Sequence, residues 1–220
     1  MYSETYTVKL TGATPLLLHR DNIDFSEKVR AWSKNPANKK FSVAGDDRTP
    51  AWTWIGYLYE ANGLITVDAD NLMSMLKDGG KKCPASSGKG SLKAATQSGI
   101  LINEIGWPII SKNGEIETKK IMALAEGEVQ DFEKHILIAE SLGFSLFVKR
   151  ARIGTSKHVR VRPRFETWSA TGTVTVLDES LKKNVLQNLL SMAGRYCGLC
   201  DWRPGSASSG RFGCFTAEVE

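Results

Sequence analysis

This sequence of 220 residues lacks several features, and each absence narrows what the protein can be. No apolar run approaches eighteen residues, so no membrane-spanning helix is predicted. The first residues, Met1 to Glu4, carry no basic group, which favours a protein that stays in the cytoplasm. No internal repeat is visible. The apolar content of 41% and charged content of 24% are those of an ordinary globular protein, and we expect one domain over residues 1–220.

Close cysteine pairs are also scarce. Cys197 and Cys200 have the spacing of zinc ligands, but a second pair is missing, so a site would have to use Cys83 and Cys214 or a distant histidine. Reduced thiols are the preferred interpretation, with zinc as the alternative. The segment Gly88-Lys89-Gly90-Ser91 does not have the residue order Gly-x-x-x-x-Gly-Lys-Ser/Thr of a nucleotide-binding phosphate loop, and no predicted strand leads directly into it. We therefore expect neither a metal nor a cofactor.

Hydrophobic periodicity predicts a mixture of strands and helices. Flexible insertions are expected near 34–49, which is polar, and near 79–98, where a basic finger could close over a ligand. Gly79-Gly80 is expected to end the helix before this second insertion. Strands are predicted at 5–10, 64–67, 100–102, 107–110, 144–149, 157–168, 171–177 and 212–219, and helices at 26–33, 49–58, 70–78, 121–125, 129–135 and 177–193.

Acidic residues are absent between Lys149 and Arg164, a segment that holds seven lysines or arginines. Arg160, Arg162 and Arg164 alternate with apolar residues, which places them on one face of an extended chain. Stacked guanidinium groups repel each other unless something negative lies across them. A sugar–phosphate backbone meets that need, because each guanidinium can grip a phosphate with two donors. A solvated edge strand protected by its charge is the alternative.

The C-terminal segment has a second basic cluster within a glycine-rich frame. Here Arg195, Arg203 and Arg211 each have an aromatic neighbour in the sequence, namely Tyr196, Trp202 and Phe212. Cations and flat aromatic faces on a pliable backbone suit a nucleic-acid strand, whereas the alternative is a surface loop between a helix and the last strand. The net charge of +5 favours a polyanionic partner. The residues expected to contact nucleic acid are Arg20, Lys149, Arg150, Arg152, Lys157, Arg160, Arg162, Arg164, Arg195, Trp202, Arg203, Gly210, Arg211, Phe212 and Gly213.

Three segments of the chain, in this order, resemble the RAMP superfamily, the RNA-binding proteins that form the backbone of CRISPR effector complexes. The first is a strand followed by Thr14-Pro15-Leu16-Leu17-Leu18, and the second is the strand and capped helix over 65–76. The third is the helix over 178–193 with the loop that ends in Gly210-Arg211-Phe212-Gly213-Cys214-Phe215. The chain departs from the family at Val67-Asp68 and at 201–204, so the resemblance is to a distant, virus-borne type of relative.

The resemblance implies a modified ferredoxin-like, RRM-like α+β core with inserted loops and a C-terminal Gly-rich loop before the last strand. It also implies a non-catalytic antiviral-defence subunit whose copies, with other effector subunits, stack along single-stranded RNA and hold its backbone rather than its sequence. DNA remains open as the strand, and no membrane is involved.

Two other functions stay open. Some RAMP relatives cleave RNA, and His19, Asp21 and Asp24 follow a buried segment at a similar place. There a carboxylate could orient a 2′-hydroxyl or hold a divalent ion, and His19 could transfer a proton. Alternatively, the chain is an assembly or inhibitor protein that mimics a backbone subunit and has no affinity for free RNA.

Overall fold

The computed structural model describes residues 2–85, 90–125 and 130–220. Within them, antiparallel sheets and six α-helices form a mixed α+β structure. The helices are α1 (Ile23–Lys34), α2 (Ala69–Lys82), α3 (Lys93–Ser98), α4 (Thr118–Ala125), α5 (Phe132–Ser141) and α6 (Lys183–Tyr196). The strands are β1 (Glu4–Gly12), β2 (Leu16–Leu17), β3 (Glu60–Ala61), β4 (Leu64–Asp68), β5 (Ile100–Leu101), β6 (Gly106–Ser111), β7 (Gly114–Glu115), β8 (Ser145–Ile153), β9 (Ser156–Phe165), β10 (Ser169–Val176) and β11 (Phe215–Val219).

The larger sheet has the strand order β11-β1-β10-β6-β4-β3, with β5 paired to β10 and β7 paired to β6. Its centre follows the alternation predicted from the sequence. In β1, Val8 and Leu10 are buried whereas Thr7 and Lys9 are exposed, because successive side chains of a strand point to opposite faces. The buried face joins one core with the apolar residues of α2 and α6.

Helix α2 does not end at the Gly79-Gly80 pair, contrary to the prediction, but continues to Lys82. The reason is packing between helices. A Cβ atom added at Gly79 would lie 2.7 Å from the Cβ atom of Ala193 in α6, so only glycine allows the two helices to approach this closely. The glycine therefore serves a helix interface rather than a helix end.

Strand β11 forms the edge of the larger sheet, and α6 covers its outer side. The side-chain amide of Gln187 donates to the carbonyl of Ala217 (2.8 Å) and accepts from the N–H of Val219 (3.0 Å). One glutamine thus occupies a donor and an acceptor that a further strand would otherwise use. Natural sheets often protect their edges by covering them in this way.

Replacing Gln187 with leucine should lower the free energy of unfolding by about 1–3 kcal/mol, since it leaves two backbone groups under α6 without a partner. Urea denaturation measures this change. Gln97→Leu, at an exposed position of α3, is the matched control and should change stability by less than about 0.5 kcal/mol. Equal effects of the two substitutions would contradict the role given to Gln187.

The smaller sheet has the order β2-β9-β8, and its β8–β9 hairpin carries the basic segment. The register pairs Phe147 with Arg162 and Lys149 with Arg160. The end of the segment 34–49, predicted to be flexible, lies against β9. There the N–H of Asp47 donates to the carbonyl of Val159 (3.0 Å), and the Val159 N–H donates to the carbonyl of Gly45 (2.8 Å).

The structure bears only in part on the predicted second insertion and on the helix predicted to begin at Val129. In the second insertion, α2 and α3 occupy both ends, whereas residues 86–89, with most of the Gly-Lys-Gly segment, lie outside the described residues. Val129, expected to begin a helix, also lies outside them, and α5 begins at Phe132. Of the helices in the described part of the chain, none has the length and apolarity needed to cross a bilayer.

Candidate nucleic-acid interface

Two neighbouring cavities meet at the basic face of the hairpin. The first, of about 510 Å³, is lined on one side by His19, Arg20 and Asp21. The second, of about 570 Å³, is lined by Lys149, Trp202 and the loop 206–208. Both cavities share Ala151, Arg160 and Arg162, so they form one continuous depression, which we call the trough. The trough brings together the N-terminal polar group, the hairpin cations and the C-terminal loop.

The shared face of the hairpin follows from its register. Arg160, Arg162 and Arg164 lie across from Lys149, Phe147 and Ser145, respectively, as the period of two predicts. The Arg164 guanidinium lies over the Phe147 ring, with 5.4 Å between its central carbon and the ring centroid. The Nη2 atom of Arg164 also lies 2.5 Å from a carboxylate oxygen of Glu166.

The charge repulsion between the arginines is relieved inside the protein by Asp47, whose side chain is only 7% exposed. Its carboxylate accepts from the Nη1 atoms of Arg160 (2.8 Å) and Arg162 (3.4 Å). It also accepts from the Tyr57 hydroxyl (3.0 Å) and from the N–H of Val161 (3.2 Å). The sequence predicted a negative group across the arginine row and assigned that place to a sugar–phosphate backbone. In the structure, an internal carboxylate lies across two of the three arginines.

A second carboxylate, Asp201, completes the cluster. Its Oδ2 atom accepts from the Nε atom of Arg162 (3.2 Å) and lies 3.8 Å from Nδ1 of His19. The Arg162 guanidinium also lies over the Tyr57 ring, 4.6 Å from its centroid. Burial, followed by the negative charge of Asp47, raises the pKa of Tyr57 to about 12, so its hydroxyl stays protonated and donates. We call Asp47, Arg160, Arg162 and Asp201 the Arg–Asp cluster.

His19 is on the open side of this cluster, with 41% of its side chain exposed and its ring edge-on to Tyr57. Burial, followed by the positive charge of Arg162, lowers the pKa of the imidazole below its ordinary value near 6.5. His19 is therefore neutral at pH 7 and can accept a proton.

The pH dependence of stability tests this lowered pKa. Because the folded state holds the His19 proton less tightly than the unfolded chain does, stability should fall as pH drops from about 6.5 towards the folded pKa. Stability-against-pH curves for wild type and His19→Gln should differ in that window and run parallel above it. An imidazole NMR titration of His19 at or above its ordinary value would contradict the prediction.

An aromatic group forms the wall of the trough beside Lys149. The Nζ atom of Lys149 lies 3.3 Å from the centroid of the Trp202 ring, and Trp202 contacts Phe147 and Phe212. Lysine over the face of an indole is held by the negative face of the ring rather than by a carboxylate. Its charge therefore remains available to an anion in the trough.

Several cations around the trough have no carboxylate within ion-pair distance among the described residues. Arg20 is on the N-terminal side, and Lys149, Arg150 and Arg152 are on β8. The described carboxylates instead pair with Arg48, Lys81, Lys120, Arg160, Arg162, Arg164, Lys182 and Arg203. The free positive charge of the trough thus comes from β8 and Arg20 more than from the arginine row of β9.

Arg203, expected to contact nucleic acid, lies elsewhere and is 16% exposed. Its Nη1 atom donates to Asp78 of α2 (3.0 Å). Burial pushes the pKa of Asp78 up, but hydrogen bonds from Lys81 and Arg203 outweigh it and leave the pKa lowered. Arg203 therefore ties the C-terminal loop to α2, a structural role that the sequence pattern did not indicate.

Arg203→Ala should reduce the free energy of unfolding by about 1–3 kcal/mol, because Asp78 loses a partly buried partner. Nucleic-acid affinity, measured at a temperature where the variant is fully folded, should stay within twofold of wild type. Arg211→Ala, at an exposed position in the same loop, controls for loss of charge and should leave stability unchanged. If Arg203→Ala instead lost nucleic-acid affinity and kept the free energy of unfolding of wild type, Arg203 would be a binding residue and not a structural one.

The glycine frame is also structural. Phe212 is 2% exposed, and Gly213 has a φ of +71° with its N–H donating to the carbonyl of Pro15 (2.8 Å). A side chain at Gly210 would collide with the backbone of Trp202, so this glycine permits a close approach within the loop. Both glycines therefore serve the packing of the loop, and neither presents its N–H to a ligand.

The remaining predicted residues lie outside the two cavities. Arg195 and Arg211 are exposed, Lys157 is near the hairpin tip, and Asp24 is in the first turn of α1. Asp21 does line the first cavity. The cysteines are free thiols, and the described residues contain no group of three His, Cys, Asp or Glu side chains that could hold a metal.

No protein-family model and no curated protein matches this chain. Its function must therefore be inferred from the chemistry of the trough.

Three residues of the trough were missed by sequence reasoning, namely Asp47, Tyr57 and Asp201. Asp47 occurs in a polar stretch that predicts a loop, and Tyr57 occurs in an apolar run that predicts a helix. The one available signal was the repulsion within the arginine row, which requires a negative partner but does not say which one.

Proposed function

We propose that this protein binds single-stranded nucleic acid, RNA in the first instance, by its sugar–phosphate backbone along the trough, as a RAMP-type subunit of a CRISPR-like ribonucleoprotein. The observation that carries the proposal is the continuity of the two cavities through Arg160 and Arg162, with unpaired cations along the rim. A negatively charged polymer satisfies several separated cations at once, which a small anion cannot do.

The chemistry of the trough matches this ligand. Lys149, Arg150, Arg152 and Arg20 supply positive charge without internal carboxylate partners in the described structure, and Trp202 offers an aromatic face beside them. Phosphates and base faces are recognised by these two kinds of group. The Arg–Asp cluster then serves as a rigid floor that fixes the geometry of Arg160 and Arg162.

We further infer that the core is ferredoxin-like, as the RAMP resemblance implies. In that fold two strand–helix–strand units interleave, so the last strand pairs with the first. The order β11-β1-β10-β5, with α2 following the first strand along the chain and α6 preceding the last, supports the inference. The packing of α2 against α6 supports it as well.

Anisotropy of a 5′-labelled single-stranded RNA tests the proposal. Affinity should fall with salt by roughly 0.7 log units per log unit of salt for each phosphate neutralised. Labelled DNA of the same sequence shows whether the 2′-hydroxyl is recognised. Light scattering with and without RNA measures whether copies assemble on the strand. Absence of binding at low salt would overturn the proposal and would favour the assembly or inhibitor function, which requires no affinity for free RNA.

A ribonuclease is the second candidate, and His19 is the specific observation in its favour. A neutral, half-exposed imidazole faces the trough beside Arg162 and 3.8 Å from a carboxylate. It could remove a proton from a 2′-hydroxyl while an arginine stabilises the phosphate. Incubation of labelled RNA with wild type, His19→Gln and Asp21→Ala, with and without magnesium, tests this chemistry. Asp24→Ala, outside the trough, is the control.

A further inference from the structure

The outer edge of β8 is unpaired over most of its length. Among residues 2–85, 90–125 and 130–220, this strand pairs with β9 alone, and Val148 is 42% exposed. Lys149, Arg150 and Arg152 are exposed as well. In the described part of the chain, no backbone bond reaches Leu146, Val148, Arg150 or Arg152 from outside the hairpin. The edge of β11, by contrast, is blocked by Gln187.

The orientation of the backbone at this edge follows from β9. Val159 turns its N–H and its carbonyl towards Gly45 and Asp47, away from β8. Its partner Arg150 is therefore at a non-hydrogen-bonded position of the ladder, and the N–H and carbonyl of Arg150 point outward. Because this orientation repeats every second residue, Val148 and Arg152 point their backbone groups outward too.

The side chains at the same positions define what an added strand would meet. Leu146, Val148, Arg150 and Arg152 lie on one face of β8, so an opposing strand meets two apolar and then two cationic side chains. Cross-strand pairs of opposite charge stabilise a sheet, and apolar side chains that face each other across two strands remove apolar surface from water. Carboxylates opposite Arg150 and Arg152 would match charges that have no carboxylate within ion-pair distance among the described residues, although Arg152 donates to the Gly154 carbonyl (3.1 Å).

We propose that the β8 edge accepts an extended, acidic segment of a partner protein as an added antiparallel strand. The segment has carboxylates opposite Arg150 and Arg152 and β-branched residues opposite Leu146 and Val148. Backbone hydrogen bonds supply the affinity and the two charge pairs supply the selectivity. The edge and the trough share Arg150 and Arg152, which also line the second cavity, whereas Lys149, Arg160 and Arg162 lie on the other face of the hairpin.

A second copy of the chain fits the edge less well. Residues 145–153 contain three cations and no acidic residue, so pairing β8 with β8 brings six positive charges to one seam. Like charges on adjoining strands destabilise the pairing. The same cations that protect the edge from self-association favour a partner strand of opposite charge.

The test uses the full chain, free of nucleic acid, and a labelled peptide Glu-Thr-Glu-Thr-Val-Thr-Val with blocked termini. Saturable binding should slow hydrogen exchange of the amides of Val148, Arg150 and Arg152. The peptide Lys-Thr-Lys-Thr-Val-Thr-Val should bind at least tenfold more weakly. Arg150→Glu/Arg152→Glu should reverse this preference. Val148→Pro should abolish binding of the acidic peptide, because the lost N–H faces outward and β9 loses no bond. Val148→Thr is its control.

Three outcomes would overturn the proposal. The first is no saturable binding of the acidic peptide up to about 1 mM, and the second is equal binding of the acidic and the basic peptide. The third is a dimer that forms without peptide and that Val148→Pro dissociates, which would mean that the edge pairs with a second copy of the chain. RNA affinity is measured on the wild-type chain and on Val148→Pro, which keeps every cation, because Arg150 and Arg152 also line the trough. Failure of peptide binding with RNA binding retained leaves the function of the trough intact, and the reverse also holds.

Discussion

Replacing Asp47 with alanine is expected to lower the free energy of unfolding by about 3–5 kcal/mol. The substitution leaves Arg162, 12% exposed, without one of its two carboxylates, and Arg160 without its only one in the described structure. It also removes the acceptor for the Tyr57 hydroxyl and the Val161 N–H. Urea denaturation followed by far-UV circular dichroism measures the change.

Asp24→Ala is the matched control, since it removes the same charge from an exposed position of α1. It should change stability by less than about 0.5 kcal/mol. Asp47→Asn, which keeps the size and part of the hydrogen bonding, should fall between the two. If Asp47→Ala lowered the free energy of unfolding by less than about 1 kcal/mol, the two arginines would be stabilised mainly by water and not by this carboxylate.

Replacing the three cations of β8 with glutamine, in Lys149→Gln/Arg150→Gln/Arg152→Gln, should weaken RNA binding by about 100-fold at about 0.1 M salt. The reason is that these side chains have no internal carboxylate partner in the described residues, so their charge is free for phosphates. The slope of log affinity against log salt should shrink by roughly 2, three times the contribution of one phosphate. Stability should stay close to that of wild type.

The control removes three exposed cations outside the two cavities, in Lys119→Gln/Lys183→Gln/Arg195→Gln. Net charge changes equally, so a difference between the two triple variants isolates position from overall charge. A similar loss of affinity in both would mean that RNA is attracted by net charge and not held in the trough.

Strands and helices with strong periodicity were predictable, because local pattern decides them. Val8 and Leu10 alternate with polar residues in β1, and Leu186, Leu189 and Leu190 form the buried stripe of α6. The common face of Arg160, Arg162 and Arg164 was predictable for the same reason, since the period of a strand is independent of the rest of the fold. The hairpin of β6 and β7 turns at Lys112-Asn113, and Gly114 follows with a φ of +93°, a conformation that favours glycine.

What could not be predicted depends on contacts between distant segments. The carboxylate of Asp47 meets β9 more than a hundred residues further along the chain, and no local pattern encodes that meeting. Arg203 illustrates the converse, because a cation in a glycine-rich loop looks like a ligand contact until α2 brings Asp78 beside it. Glycines that serve close packing are likewise indistinguishable, in sequence, from glycines that bind phosphate.

Photo-crosslinking of a 4-thiouridine-substituted RNA to the protein, followed by mass spectrometry of the joined peptides, tests the central claim most directly. We expect crosslinks in residues 147–152 and at Trp202, on the two sides of the trough, and their loss in the β8 triple variant. Crosslinks confined to α4, to the exposed face of β1 or to the neighbourhood of Arg195, with none in the trough, would contradict the account.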